Sequence, residues 1–236
     1  METMLPGRLP HSAPWTAALL LWLGMGTLGH IREENLHTII NYITRFRVRA
    51  QYSFAVSLNR TYCDNPSDLR PELREDELTS MWAAINQKDS LYDPEEGHIV
   101  AAQVTSQGGS AEHTERSLLW GHRQSPVGKL LARTYNSSSC LIFFTLNSPC
   151  VGTCLQEYGP YNILQMVRDT FLNISENYKA FVFQQIFWVD WEHEKRRSLL
   201  RAWHRLDNVP LLLCDNKSCR DCSGNNPNTN RCLPRK

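Results

Sequence analysis

Two short motifs in this chain carry the residue types of a metal site with a proton carrier beside it. His113 and Glu115 stand two residues apart, and a second motif runs from Pro149 and Cys150 to Cys154. One imidazole and two thiolates would give a zinc ion three protein ligands and leave the fourth position to water, whereas closed structural sites have four protein ligands. Glu115 is then the candidate to take the proton of that water. The two motifs together predict a catalytic zinc site.

Either motif alone is weak evidence, because a lone histidine is usually a packed or exposed residue and a cysteine pair is often a disulfide. The context of the cysteines favours metal binding. An apolar, β-rich run over 139–146 leads directly into Pro149, which predicts a buried strand followed by a turn. Cys150 and Cys154 are then expected to open a helix, where positions i and i+4 share one face and the N-terminus favours the thiolate. His113 is likewise expected at the start of a helix.

The order of the motifs resembles the H-x-E and P-C-x-x-C signature of zinc-dependent nucleobase and nucleoside deaminases. Three residues separate the cysteines here, where the signature has two. Either spacing places the sulfurs about one helical turn apart. The longer spacing argues against the small enzymes that act on free nucleosides.

Hydrophobic periodicity predicts five strands that alternate with helices after an initial hairpin. That pattern implies an α/β fold with a central five-stranded mixed sheet and helices on both faces. The predicted strands span 47–58, 98–105, 139–149, 180–188 and 209–213. The predicted helices span 33–46, 76–85, 112–135 with a break near Ser125 and Pro126, 159–172 and 194–206.

The order of elements and the motifs together resemble the cytidine deaminase fold and, within it, the secreted AID/APOBEC-like deaminases of vertebrates. Phe187-Trp188-Val189-Asp190-Trp191 is similar to the aromatic and acidic loop that lies beside the base pocket in that branch. Gln51-Tyr52-Ser53-Phe54 is similar to a first-strand pocket motif, but it is shorter by one residue. The resemblance covers about 31–213 and implies that substrate is bound by Phe54, Trp188, Asp190 and Trp191. Plain packing is the alternative role for the two tryptophans.

The N-terminal segment predicts secretion. An apolar run from Trp15 to Leu28 follows Arg8 and is shorter than the ~20 residues of a membrane-spanning helix. We expect a mature chain that begins near His30 and has no stable membrane anchor. The predicted organisation is a signal peptide at 1–29, a deaminase-like domain at 30–213 with an insertion at about 60–96, and a cysteine-rich tail at 214–236.

Acceptor sequences and cysteines agree with an oxidising compartment. N-glycosylation is predicted at Asn59, Asn136, Asn173 and Asn216. Three disulfides of open pairing are predicted among Cys63, Cys140, Cys214, Cys219, Cys222 and Cys232. Four of these six crowd into the tail, which predicts a disulfide-stapled segment. Cys219 and Cys222 could instead form a redox pair or a second zinc site.

The balance of charge gives little support to a dedicated nucleic-acid binder. The chain has 25 Lys and Arg against 24 Asp and Glu, a formal net charge of +1. Arg45, Arg47 and Arg49 alternate along the first predicted strand, and 195–205 adds basic residues on a helix. These residues could follow a phosphate backbone, but a solvated face is the favoured interpretation because nucleic-acid binders usually carry a basic excess.

The motifs and the resemblance imply a Zn²⁺-dependent deaminase that converts cytosine to uracil, with Glu115 moving the proton. Cytosine in single-stranded DNA or RNA is the expected substrate, and the base is implied by the resemblance alone. The alternatives are a deaminase of free cytidine, deoxycytidine or adenosine, favoured by Tyr52-Ser53-Phe54, and a secreted interaction protein with a structural zinc. The second alternative gives no role to Glu115, which is not a ligand.

Overall fold

A computed structural model describes residues 31–45, 50–87, 90–103 and 113–234. The predicted signal peptide at 1–29, Arg47 and Arg49 lie outside the described residues. The helices are α1 (Glu33–Thr44), α2 (Arg60–Asp64), α3 (Glu75–Ile85), α4 (Thr114–Leu119), α5 (Pro126–Thr134), α6 (Leu164–Phe171), α7 (Trp188–His193) and α8 (Arg196–Trp203). The strands are β1 (Tyr52–Asn59), β2 (Ser90–Tyr92), β3 (Ile99–Gln103), β4 (Ser139–Asn147), β5 (Lys179–Gln185), β6 (Leu211–Cys214) and β7 (Cys219–Asp221).

In the part of the chain that the structure describes, these strands form one sheet in the order β2-β3-β1-β4-β5-β6-β7. β1 is antiparallel to β3 and to β4, whereas β4, β5 and β6 run parallel. The carboxyl ends of the three parallel strands therefore meet at one edge of the sheet. That edge is where open α/β sheets bind their ligands.

Side chains alternate between the two faces of the sheet, and each face is covered by helices. Phe143 of β4 packs with α4, α5, α6 and α8 on one face, and its neighbour Phe144 packs with α1 and α3 on the other. Because strands buried on both faces are apolar throughout, β4 reads as a continuous hydrophobic run in the sequence. The predicted α/β fold with a mixed sheet and helices on both faces is confirmed.

The prediction of five strands is wrong, because the sheet has seven among the described residues. The two additional strands, β2 and β7, lie at the edges and have three residues each. A strand of that length is too short to show an alternating pattern. The segment predicted as an insertion contributes α2, α3 and β2, and it places Met81 and Ile85 in the core.

The predicted break between α4 and α5 has a local cause. The hydroxyl of Ser125 accepts a hydrogen bond from the N–H of Gly128 at 2.9 Å, and Pro126 occupies the first helical position. A serine cap followed by proline is a strong start signal for a new helix. Gly128 also has to lack a side chain, since a Cβ there would meet the carbonyl oxygen of His122 at 2.2 Å.

Three disulfides join the six cysteines that were predicted to be oxidised. The pairs are Cys63–Cys140, Cys214–Cys219 and Cys222–Cys232. The alternative role of Cys219 and Cys222 as a redox or zinc pair is therefore wrong, because each is bonded to another partner. Among the described residues, Cys150 and Cys154 are the cysteines that remain as thiols.

The tail is part of the folded body. β7 pairs with β6, and Cys222, Cys232 and Leu233 are buried in the core on the side of α8. Arg231 forms an ion pair with Glu33 at the start of α1, at 2.6 and 2.8 Å. No helix of the described residues is long and apolar enough to cross a membrane.

Candidate metal centre and active site

The two motifs meet at the carboxyl edge of the sheet. His113 is the residue immediately before α4, as predicted, and Cys150 and Cys154 follow the end of β4. Their ligand atoms all lie within 4.8 Å of one another. His113 and Cys150 are separated by 37 positions in the sequence. The fold brings the Sγ of Cys150 to 3.4 Å from Nδ1 of His113.

The expectation that the cysteines open a helix is wrong. Residues 151–155 form turns, and the next helix, α6, begins only at Leu164. The N–H of Leu155 bonds to the carbonyl of Cys150, five residues back, at 3.0 Å. This wider turn accommodates the additional residue between the cysteines, and it still brings their sulfurs to 3.5 Å.

The separations of the donor atoms fit a tetrahedral zinc ion. Zinc–sulfur and zinc–nitrogen bonds of about 2.3 and 2.05 Å imply donor separations of about 3.8 Å between sulfurs and about 3.6 Å between nitrogen and sulfur. The observed separations are 3.5 Å for the two sulfurs and 3.4 Å for Cys150 Sγ and His113 Nδ1. One histidine and two cysteines are also a donor set that zinc prefers. These residues fit the metal that the sequence predicts.

Thr153 supports the ligands and was not predicted from the sequence. Its hydroxyl lies 3.2 Å from Nε2 of His113 and donates to the Sγ of Cys150 at 3.0 Å. If Nδ1 binds the metal, Nε2–H can donate to Thr153, which fixes the tautomer and the plane of the ring. The hydroxyl residue inside the Cys-x-x-x-Cys segment is the sequence signal from which this role could have been inferred.

The ligands are electrostatically prepared for a cation. A hydrogen bond from Cys154, helped by one from His113, lowers the pKa of Cys150 to about 4. That same hydrogen bond and burial raise the pKa of Cys154. The hydrogen bond to Cys150 also raises the pKa of His113. Cys150 is thus already favoured as a thiolate. A divalent cation would offset the repulsion between the two negative charges, so that Cys154 could ionise as well.

Glu115 lies in the first turn of α4 and is only 2% exposed. Burial raises the pKa of its carboxyl above the ordinary value, and the thiolate of Cys150 adds to the effect. Thr145 donates to Oε1 at 2.7 Å and Thr114 donates to Oε2 at 3.3 Å. A carboxyl with a raised pKa and a fixed orientation is suited to accept and return a proton near neutral pH.

A chain of hydrogen bonds extends from Glu115 along the carboxyl edge. Gln51 donates to the hydroxyl of Thr145 at 3.0 Å, and it accepts from the side-chain amide of Asn147 at 2.7 Å. Gln185 donates in turn to Asn147 at 2.8 Å. None of these side chains was predicted to act at the site, although Gln51 begins the first-strand motif and Thr145 stands out as a polar residue in an apolar strand.

Comparison with known protein families agrees with this geometry. A family model described as Secreted Novel AID/APOBEC-like Deaminase 1 matches residues 33–236. The chain belongs to this family. No curated protein and no solved structure matches the chain.

The architecture of this family member is the cytidine deaminase-like fold, with His113 immediately before α4, Glu115 in the first turn of α4, and the cysteines after a central strand. The matched range includes the cysteine-rich tail, which the sequence resemblance had left outside.

The prediction that Phe54 binds substrate is wrong. Phe54 is completely buried on the face of the sheet opposite to Glu115, and its ring stacks on Phe144 with centroids 4.7 Å apart. Its neighbour Ser53 points to the side of the metal ligands and lies 2.6 Å from the hydroxyl of Thr114. Because side chains alternate along a strand, a motif shortened by one residue places its aromatic ring on the other face.

The other predicted substrate residues lie in α7, directly after β5. The side chains of Trp188 and Trp191 are 61% and 41% exposed, and both are therefore available to a ligand. Asp190 is buried, and its carboxylate accepts the N–H of Val151 at 3.0 Å. Burial raises the pKa of Asp190 to about 6. Asp190 thus holds the cysteine segment against α7 and is not free to contact a base.

The predicted glycosylation sites have different surroundings. Asn136, Asn173 and Asn216 are exposed. Asn59 is partly buried and caps α2, with its side-chain oxygen accepting from the N–H of Thr61 at 3.0 Å. The amide oxygen of Asn59 is therefore engaged in the fold.

Proposed function

We propose that this protein is a zinc-dependent hydrolytic deaminase that converts cytosine to uracil in single-stranded nucleic acid. The observation that carries the proposal is the buried carboxyl of Glu115, which is held by Thr145 and Thr114 beside three donors at zinc-ligand separations. A purely structural site would have no use for such a carboxyl. Membership of a deaminase family supports the same chemistry.

In this proposal three residues hold the metal and a fourth moves protons. His113, Cys150 and Cys154 would hold the metal, which when bound lowers the pKa of its water from far above neutrality to about 7 and so supplies hydroxide. Glu115 carries one proton of the attacking water to ring nitrogen N3 of cytosine. It then takes the second proton from the oxygen added at C4 and delivers it to the leaving amine, so that a C4 carbonyl remains. Water is consumed, ammonia leaves, and the carboxyl ends each cycle in its starting state.

A single-stranded polymer is favoured over a free nucleoside by two features of the structure. Trp188 and Trp191 expose their rings directly after β5, where they can stack on bases that flank the target. The support for a small substrate came from Tyr52-Ser53-Phe54, but Tyr52 and Phe54 are both buried on the opposite face. The two aromatic residues of the motif that favoured a free nucleoside therefore have no part in the site.

Secretion completes the proposal. Three disulfides require an oxidising environment during folding, and the family is described as secreted. We propose that cleavage follows the signal peptide at 1–29 and that Asn136, Asn173 and Asn216 carry glycans at the surface. Intact-mass measurement of the protein from a secretory host, before and after enzymatic deglycosylation, tests both statements.

The test of function is a mass-spectrometric deamination assay on that glycoprotein. Cytidine, deoxycytidine, adenosine and single-stranded DNA and RNA are offered to the wild type, to Glu115→Ala and to Glu34→Ala, a matched control at an exposed carboxylate. We expect uracil in the oligonucleotides with the wild type and Glu34→Ala, and a loss of about 10²–10⁴-fold with Glu115→Ala. Equal zinc content in all three proteins shows that the loss lies in proton transfer. An active Glu115→Ala protein would refute the assignment.

A further inference from the structure

A cavity of about 830 Å³ opens beside the proposed active site, between the tryptophans of α7 and the disulfide-closed tail. Trp188 and Trp191 line this cavity together with Asn228 and Thr229 of the tail. None of the metal ligands lines this cavity. Its volume is within the range of about 300–1,000 Å³ that is usual for small-molecule sites.

The cavity is connected to Glu115 by side chains. Gln185, at the end of β5, lines the cavity and donates to Asn147 at 2.8 Å. Through Gln51 and Thr145 this hydrogen-bond chain reaches the carboxyl of Glu115. A nucleotide bound in the cavity would therefore lie on the same carboxyl edge of the sheet as a cytosine that reacts at Glu115.

The backbone fixes the tryptophans relative to the metal ligands. The N–H of Phe187 donates to the hydroxyl of Ser148 at 3.0 Å, and the N–H of Ser148 donates to the carbonyl of Gln185 at 2.8 Å. Together with the contact between Asp190 and Val151, these bonds join the start of α7 to the segment that carries the cysteines. The cavity and the metal site are parts of one rigid edge.

The tail residues of the cavity lie on a segment that is held by a disulfide and by hydrogen bonds. The disulfide Cys222–Cys232 closes this segment, and Asn230 bonds to the carbonyl of Cys222 at 2.9 Å and to the N–H of Cys232 at 2.9 Å. Arg196 of α8 donates to the carbonyl of Pro234 at 2.7 Å. Asn228 and Thr229 are exposed on this frame, so little backbone ordering is needed for their side chains to contact a ligand.

The charges at the cavity argue against binding by phosphate. Arg220 is paired with Asp215 at 2.6 Å, and Arg231 is paired with Glu33. Two tryptophan rings that share one cavity with amide and hydroxyl groups instead suit a nucleobase, which offers a stacking face and hydrogen-bonding edges. Such recognition also agrees with the nearly neutral charge of the whole chain.

We propose that the cysteine-rich tail forms the second wall of a subsite for the nucleotide next to the target cytosine. The base of that nucleotide stacks on Trp188 and Trp191, while Asn228 and Thr229 hydrogen bond to its edge. This inference rests on the proposed function and adds the tail to the residues that select substrate.

The experiment measures binding and turnover separately. Binding of fluorescein-labelled single-stranded DNA and RNA that contain one cytosine is followed by anisotropy, with Glu115→Ala as the background so that substrate is not consumed. Asn228→Ala/Thr229→Ala is compared with Asn225→Ala, a matched tail control outside the cavity. We expect Kd to rise about tenfold in the double variant, from two hydrogen bonds, and to stay unchanged in the control. Trp191→Ala should weaken binding by about tenfold or more.

Turnover by proteins with an intact Glu115 gives the second readout. The ratio of oligonucleotide to free cytidine turnover should fall about tenfold in the tail double variant, because the hydrogen bonds are made to the flanking base. Binding should depend only weakly on salt, because the cations at the cavity are already paired. A steep loss of affinity with salt would contradict recognition by stacking and amides.

The failures of the two proposals are distinguishable. The subsite would be overturned, and the deaminase left intact, by an active wild type whose tail double variant has the same Kd and turnover ratio as Asn225→Ala. Activity on free nucleosides alone would also overturn the subsite. Absence of any product with zinc-loaded wild type would overturn both. Equal melting temperatures of the variants show that weaker binding does not come from unfolding.

Discussion

On one face of the sheet, β1 places Tyr52 and Phe54 among apolar side chains, whereas on the other face the residue between them hydrogen bonds toward Glu115. β4 repeats the contrast, with Phe144 on the apolar face and Thr145 bonded to the carboxyl of Glu115. The same two strands thus build a dry core and a reactive site. Which role a residue has depends on whether its position is odd or even along the strand.

The comparison shows what each face requires of its side chains. The apolar face is stabilised by burial and close packing, so its residues contribute to the free energy of unfolding in proportion to the volume they fill. On the face with the metal ligands, buried polar groups must each find a partner, because an unpaired one costs the full energy of its desolvation. Substitutions on the two faces should therefore fail in different measurements.

The largest effect is expected for Phe54→Ala. Deleting a completely buried ring that stacks on Phe144 should lower the free energy of unfolding by about 3–5 kcal/mol. Urea unfolding measures the loss, and kcat of the folded fraction should be retained because the ring faces away from the site. A fall in kcat at unchanged stability would return Phe54 to the substrate pocket.

Thr153→Val should act on the metal alone. Removing the hydroxyl that contacts His113 and Cys150 should weaken zinc affinity by about 10–100-fold, as is usual for a partner of metal ligands. Competition with a chelator measures the affinity. Thr153→Ser keeps the hydroxyl and is the matched control, so equal affinities of the valine and serine variants would show that the contact has no influence.

Thr145→Val should lower kcat by about tenfold, because a hydrogen bond to a charged group is lost and the carboxyl of Glu115 is less well oriented. Valine preserves the shape, so zinc content and KM for cytidine should change little. Steady-state kinetics of Thr145→Val and Thr145→Ser separate the hydroxyl from the methyl group. If the serine variant is as slow as the valine variant, then packing accounts for the loss.

The smallest effect concerns Glu77, which lies on α3 beside the apolar face. Burial raises the pKa of its carboxyl, so the folded state holds this proton at pH values where the unfolded state has lost it. Stability should therefore fall as pH rises from the ordinary pKa of glutamate through the folded one. Glu77→Gln keeps an acceptor for the N–H of His98 and should remove this fall.

Denaturant titrations of wild type and Glu77→Gln at several pH values measure the difference. The two stability curves should diverge as pH rises, by well under ~1 kcal/mol because the carboxylate is partly exposed and screened. Parallel curves would show that the carboxyl titrates normally.

The fold and the centre of the site were largely predictable from local patterns. Alternation and apolar runs identify β1, β3, β4, β5 and β6, and the motif spacing identifies the metal ligands and Glu115. The edge strands β2 and β7 were missed because three residues carry no periodicity. The role of Phe54 was wrong because a motif one residue short reverses the face of its aromatic ring.

The supporting residues were missed for a different reason. Gln51 reaches Asn147 because β1 and β4 are neighbours in the sheet, although 96 residues separate the two in sequence. The cavity between α7 and the tail arises in the same way, from the parallel pairing of β5 with β6 and the return of the chain through β7. Contacts of this kind depend on strand order, which local pattern does not encode.

The two thiols of the metal site lie 3.5 Å apart in a protein whose six other cysteines are oxidised to disulfides. The surroundings that close the three bridges would oxidise this pair as well, and a bridged pair cannot bind metal. On the proposed zinc chemistry, the metal therefore has to reach the site before the oxidant does. The yield of active protein is then set by a race during maturation, between metal delivery and oxidative folding.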